Sequence, residues 1–158
     1  MPPMEVRSAT PVEALAISRL LAEAIRDSYT GILAESAVGH LVSTNCSLTR
    51  IKAEIGIPGG APGWLGWLVA IDAEGTVVGA AAGGVPTAGE GEVYSLCASP
   101  SLRGTGIGTA LLVAVTERIR EHDAKRQAVS LHSEQDPARG FFVRRGFQGS
   151  GTRLLRGL

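Results

Sequence analysis

Arg103-Gly104-Thr105-Gly106-Ile107-Gly108-Thr109-Ala110 places a glycine at every second position where an apolar run gives way to helical spacing. Upstream, Val93, Leu96 and Ala98 lie in a strand-like run closed by Pro100; downstream, Ile107, Leu111, Val115 and Ile119 recur every four residues. A strand, a glycine turn and a helix in that order leave the first helical N–H groups without carbonyl partners. The positive end of the helix dipole lies there too, and the missing Cβ atoms let an anion approach the main chain. The chemistry is the holding of a phosphate or pyrophosphate, so an anionic cofactor is expected. Two commoner phosphate motifs are excluded by spacing. A dinucleotide fingerprint starting at Gly104 needs Gly or Ala where Thr109 stands, and one starting at Gly106 meets Leu111. A P-loop needs Gly-Lys-Ser/Thr after four intervening residues, and the chain has no such run.

A second block, Gln135-Asp136-Pro137-Ala138-Arg139-Gly140-Phe141-Phe142-Val143-Arg144-Arg145-Gly146-Phe147, reads as one short helix. Asp136 suits the N-cap, Pro137 the first helical position and Gly146 a left-handed stop. Ala138, Phe141, Phe142 and Arg145 then share a face. Three titratable side chains lie close along the chain to these two blocks. Glu92 and Tyr94 stand in the strand before the glycine turn, and His132 lies just past the strand that follows the long helix.

The first block fits Arg/Gln-x-x-Gly-x-Gly/Ala. With Leu96-Cys97-Ala98-Ser99-Pro100 before it and Ala110-Leu111-Leu112 after it, it resembles the acyl-CoA-binding motif of the GNAT superfamily of N-acyltransferases. The second resembles that family's later motif, Asn-x-x-Ala-x-x-Phe-Tyr-x-x-x-Gly-Phe, with every spacing kept. The resemblance implies acetyl-CoA as co-substrate and no metal. The cofactor would be held by Leu96, Cys97, Ala98, Arg103, Gly104, Thr105, Gly106, Ile107, Gly108 and Thr109, and by Gln135, Ala138, Phe141 and Phe142 of the second block. Leu96 and Ala98 would offer main-chain groups to the pantetheine arm, and a main-chain N–H there would polarise the thioester carbonyl. The implied reaction is acetyl transfer to a primary amine by direct attack in a ternary complex. Glu92 resembles the position of a catalytic glutamate in part of the family; His132 is the competing base.

The chain departs from the family pattern twice. Gln135 stands for the usual Asn, a longer amide with the same donors and acceptors. Phe142 stands for the Tyr that in many relatives is proposed to protonate the departing thiolate. Tyr94 is a candidate for the missing acid, or a thiolate whose thiol has a pKa near about 8.5 leaves unassisted. A reading of another class therefore stays open: an acyl-CoA-binding regulatory module without turnover. The acceptor pocket implied by the family involves Asp27, Tyr29, Glu35, His40 and the Val85 to Glu90 loop, and small-molecule and peptide amines both fit it.

The elements that must position these residues follow from the spacing of apolar residues. A strand over Met4 to Ser8 precedes a capping box at Thr10-Pro11-Val12-Glu13, which opens a helix whose stripe is Ile17, Leu20, Leu21, Ala24 and Ile25, read as core. Short helical pieces fall around Ala34 to Leu41 and Leu48 to Ile55, with a loop from Pro58 to Gly63. Trp67 to Ile71 and Val77 to Ala82 form a hairpin about Asp72-Ala73-Glu74-Gly75. Gly83 to Gly91 reads as a loop, Glu92 to Ala98 as a strand, the long helix reaches about His122, and Gln127 to Leu131 is the next strand. A final strand follows Phe147. The order β-α-α-β-β-β-α-β-α-β predicts a single α/β domain over residues 1–158, with a mixed sheet, antiparallel in its first half and parallel at its centre. That is the GNAT order, in which two central strands splay apart around the cofactor. The family usually closes with two strands, and only Gln148 to Leu158 remains here, so a homodimer completing the edge is a further expectation.

Composition sets outer limits. The 158 residues suit one core, and Lys+Arg 15 balances Asp+Glu 15, which argues against a nucleic-acid or membrane-surface partner and against transfer RNA as acceptor. Cys46 and Cys97 lack metal-ligand spacing, and Cys97 reads as a small buried hydrophobe. Met1, Pro2, Pro3 and Glu5 do not resemble a secretory leader, so a cytoplasmic protein is expected.

Overall fold

Small and β-branched residues dominate the middle of the chain. In the computed structural model, which describes residues 4–56 and 63–158, they build a six-stranded sheet whose strands lie in sequence order. The strands are β1 (Glu5–Ser8), β2 (Trp64–Ile71), β3 (Val77–Thr87), β4 (Glu90–Ala98), β5 (Arg126–Ser130) and β6 (Arg153–Gly157). The helices are α1 (Ala14–Tyr29), α2 (Glu35–Asn45), α3 (Leu48–Gly56), α4 (Ile107–Glu121) and α5 (Arg139–Val143). All pairings are antiparallel except β4 with β5, which is parallel and joined through α4. The mixed sheet is as predicted, and α2 and α3 correspond to the two short helical pieces read around Ala34 to Leu41 and Leu48 to Ile55, which the predicted order counted as a single helix.

The period-2 alternation of the strands sorts the core into two layers. Leu68, Ala70, Val78, Ala81 and Val93 face α4, and Val69, Ile71, Ala80 and Ala82 face α1 and α3. The stripe Ile107, Leu111, Val115 and Ile119 is buried along its whole length, which is what makes α4 dock on the sheet. Glycines in β3 permit its closeness: a Cβ on Gly79 would lie 2.6 Å from Ile107 Cγ2, and one on Gly83 2.8 Å from Val115 Cγ1. At the start of α1 the Glu13 carboxylate accepts from the Thr10 N–H at 2.8 Å and from Arg7 Nη1 at 2.8 Å, tying the helix entry to β1.

Several boundaries differ from the sequence reading. The loop expected over Gly83 to Gly91 is a second hairpin: β3 continues to Thr87, turns at Ala88 and Gly89, and Gly84 pairs with Glu92. Gly83, Gly84 and Pro86 are weak strand formers, and ladder partners on β2 and β4 overrule that local preference. The last helix starts at Arg139 rather than Pro137; Asp136 instead caps the preceding turn, its Oδ1 accepting from the Ala138 N–H at 2.8 Å. Gly146, at φ 93°, is the left-handed stop. The final strand is confined to Arg153–Gly157, with a single bridge from Gln148 to Leu155. The expected loop from Pro58 lies, apart from Gly63, outside the described residues.

Candidate active site

The parallel ladder between β4 and β5 ends early. Glu90 to Val93 pair with Arg126 to Val129, and the rest of β4 pairs with β3 alone. Between Gly83↔Val93 and Ala82↔Ser95 the β3 register skips Tyr94, so β4 carries a bulge at that residue. A bulge adds a residue to one strand and bends it, here just where β4 leaves β5. Beyond it, the N–H and C=O groups that β4 directs toward β5 have no strand partner.

Two adjoining clefts occupy this opening. The larger, about 520 Å³, runs from Leu96, Cys97 and Ala98 along the Arg103–Thr109 turn to Phe141, Arg144 and Arg145. The smaller, about 260 Å³, lies between the C-terminal half of α1, β4 and the segment after β5. Ala24, Ser28, Leu96, Cys97 and Ala138 line both, so the clefts meet at the splayed end of β4. The last turns of α1 are thus a wall of the site.

The larger cleft is built to take an anion. Gly104 and Gly106 have φ 77° and 89°, a conformation that strains residues with a Cβ, and Gly106 is the N-cap of α4. The first intrahelical bond runs from Ala110 N to Gly106 O, and no side chain caps the helix, so the N–H groups of Ile107, Gly108 and Thr109 are unbonded within it. Arg103, Arg144 and Arg145 line the cleft, and no carboxylate among the described residues does. Arg145 stacks over Phe141 at 3.7 Å from the ring centre and donates to Thr109 Oγ1 at 2.6 Å, bracing α5 against α4. Arg103 also pairs with Asp27 of α1, a contact exposed to solvent. Thr105 and Gln135 differ from the other named residues. The Thr105 hydroxyl donates to Leu102 O at 2.6 Å within the turn, Gln135 is exposed, and neither lines either cleft.

The smaller cleft is lined instead by carboxylates, Glu92 and Asp136, with no Lys or Arg in its lining among the described residues. Both oxygens of Glu92 accept from Arg153, each at 3.1 Å, while Glu90 accepts from the same guanidinium at 2.9 Å. Asp136 is buried; its Oδ2 accepts from the Tyr29 hydroxyl and its Oδ1 is the turn cap already described. Burial and then this carboxylate push the Tyr29 phenol above its ordinary range, so it remains a neutral donor. His132 is exposed at the rim with its ring 5.7 Å from that of Tyr29, edge to face. Tyr94, the bulge residue, is half exposed and stacked on Trp64; burial first, then Glu92, raises its phenol.

Phe142 borders the smaller cleft and Phe141 the larger. Phe142 is also core, 5.3 Å edge to face from Phe147. Cys97 packs toward the α1 side, and burial pushes its thiol up to about 12. Of the expected acceptor residues, Tyr29 lines the smaller cleft, whereas Asp27, Glu35, His40 and residues 85–90 do not. Sequence reasoning took Asp136 only as a helix cap; its place four residues beyond His132, in the same post-β5 segment, was the available signal. Among the described residues no cluster of His, Cys, Asp and Glu has metal-binding geometry, and no helix is long and apolar enough to cross a membrane.

A profile of the acetyltransferase (GNAT) family matches residues 48–147. Among solved structures, the PaiA N-acetyltransferase of Thermoplasma acidophilum, determined in complex with coenzyme A, is 19% identical with a TM-score of 0.86 over 99% of both chains. A GCN5-related N-acetyltransferase from Rhodopseudomonas palustris is 19% identical, TM-score 0.79, over 100% of this chain and 96% of its own. A GNAT family acetyltransferase from Brucella melitensis, in complex with acetyl-CoA, is 20% identical, TM-score 0.64, over 98% and 88%. No curated protein sequence gives a significant match.

Proposed function

This chain belongs to the GNAT acetyltransferase family, and is thus an acyltransferase; from that premise we propose that it moves the acetyl group of acetyl-CoA to a primary amine by direct attack in a ternary complex. The observation that carries the proposal is the meeting, at the splayed end of β4, of a cleft lined by arginines with a cleft lined by carboxylates. The unbonded N–H groups opening α4, with Arg103, Arg144 and Arg145, fit a pyrophosphate, and the unpaired edge of Leu96 to Ala98 fits a pantetheine amide chain. Bound there, acetyl-CoA supplies an activated acyl group and a thiolate as leaving group. Main-chain N–H groups near Leu96 to Ala98 are the donors proposed for the carbonyl oxygen.

An amine acceptor is proposed because the lining of the smaller cleft, among the described residues, offers the carboxylates of Asp136 and of Glu92, the latter also paired with Arg153. A protonated amine is drawn in by Glu92 and Asp136, and must lose a proton before its nitrogen can attack. Glu92 is the proposed acceptor of that proton, directly or through a water. Each carboxylate oxygen has two lone pairs, and Arg153 occupies one on each. A cleft of about 260 Å³ suits a small amine or the end of a peptide side chain.

Phe142, lacking a hydroxyl where many relatives carry one, favours the second reading, an acyl-CoA-binding module without turnover. The test is a panel of small and peptide amines incubated with acetyl-CoA, reading free thiol and the mass of the acceptor. We expect amine-dependent thiol release with one acetyl added to the accepted amine, and cationic amines preferred over carboxylate-bearing ones. Binding of acetyl-CoA without thiol release across the panel would leave the binding-module reading in its place.

A further inference from the structure

On the outer side of α4 a third cavity, about 270 Å³, lies between the helix and β6, with Thr109, Thr116, Arg120, Arg145 and Arg156 around it and Glu117 as its one carboxylate. Three guanidinium groups around so small a space repel one another. Arg120, Arg145 and Arg156, like Arg118, Arg139 and Arg144, have no acidic partner within ion-pair distance among the described residues.

Two of the three are fixed in place. Arg156 donates to Gln127 Oε1 at 2.9 Å, to Arg145 O at 2.8 Å and to Thr116 Oγ1 at 3.1 Å, and lies 4.6 Å above the centre of the Phe147 ring. Arg145 is held by Thr109 Oγ1, by Phe141 O at 2.8 Å and by the Phe141 ring. Burial, then Arg120 and Arg145, oppose the charge on Arg156. Arg120, in the last turn of α4, is exposed and makes no side-chain hydrogen bond among the described residues, which leaves its donors free.

The cavity adjoins the cofactor cleft across Thr109 and Arg145, which line both and are hydrogen-bonded to each other at 2.6 Å. Coenzyme A carries its third phosphate on the ribose, on the opposite side of the pyrophosphate from the pantetheine arm. With the arm along Leu96 to Ala98 and the pyrophosphate at the glycine turn, the ribose leaves toward Phe141 and Arg145, the wall shared with this cavity. We propose that Arg120, Arg145 and Arg156 form a phosphomonoester subsite that takes the 3′-phosphate of the cofactor, so that the protein discriminates CoA from 3′-dephospho-CoA. This rests on the acetyl-CoA reading above. A dianion there relieves the repulsion among the three cations and receives charge-assisted hydrogen bonds from Arg120.

The test is calorimetric titration of CoA and of 3′-dephospho-CoA into the unmodified protein, Arg120→Gln and Glu117→Gln. CoA is expected to bind about tenfold or more tightly than the dephosphorylated form. Arg120→Gln should shrink that ratio by weakening CoA alone, and Glu117→Gln should widen it by removing the one carboxylate. Equal affinities for the two compounds, or equal weakening of both by Arg120→Gln, would overturn the subsite while leaving the cofactor reading intact. If neither compound binds, the cofactor reading fails and this inference with it. Inorganic phosphate is the remaining arm. Equal CoA affinities together with an Arg120-dependent rise in melting temperature on adding phosphate would assign the cavity to free phosphate and overturn the cofactor assignment.

Discussion

Glu92 and Phe142 border the same cleft with opposite chemical capacities: one accepts a proton, the other has none to give. If Glu92 takes the amine proton, Glu92→Gln lowers kcat by about tenfold or more and flattens the acidic limb of the pH–rate profile, with CoA affinity unchanged. The substitution also loosens Arg153, so the melting temperature must be followed; an unaltered pH profile in a well-folded variant would transfer the role to His132. Phe142→Tyr adds a hydroxyl at a ring bordering the site, and kcat is expected to rise by less than the general-acid limit of about 10²–10⁴-fold. Lower stability by about 1–3 kcal/mol with unchanged turnover would place that hydroxyl in the core, unbonded, among Phe141 and Phe147. At this scale the sequence was informative where a residue has one role. Gly106 and Gly146 were legible because a left-handed turn admits little else, whereas Asp136 was half-read, since a capping residue and a cleft carboxylate look the same until α1 brings Tyr29 against it.

The glycine turn and α4 act as one element, and Gly106→Asp tests them together. At φ 89° an aspartate is strained by about 1 kcal/mol, and its carboxylate competes for the N–H groups that open the helix. The folded variant should show no rise in melting temperature with acetyl-CoA, where the unmodified protein gains about 2.7 kcal/mol at a hundredfold excess over Kd. The entry to α1 carries a second prediction. The Arg7 guanidinium holds the Glu13 carboxyl below its ordinary value of 4.5, so this contact stabilises the fold above that pH and is lost as pH falls toward the lower folded value. Glu13→Gln should cost about 1 kcal/mol near neutrality. Because the unmodified protein forfeits the same contact in acid, the gap between their unfolding midpoints should narrow as pH falls below 4.5 and close below the lowered folded value. A gap that persists would mean that packing, not charge, supplies the contribution. Helix α4 and the first hairpin were visible from spacing alone. The second hairpin was not, because its residues enter the sheet through partners distant in sequence.

For the molecule as a whole, a net charge of zero hides an uneven distribution: arginines line the larger cleft and the cavity beside it, and carboxylates, one of them paired with Arg153, line the smaller. Sequence could place each charge along the chain but not the side of the sheet on which it would gather, since the division arises where β4 parts from β5. Both clefts open onto that one parting, which gives the proposed ternary complex room for both substrates at once. The most direct measurement is an initial-rate study in which acetyl-CoA and the accepted amine are varied independently, with the intact mass of the protein followed under the same conditions. A ternary complex predicts intersecting double-reciprocal lines and no acetyl adduct on the chain. Parallel lines with an acetyl group retained on the protein, or no amine-dependent rate at all, would contradict it.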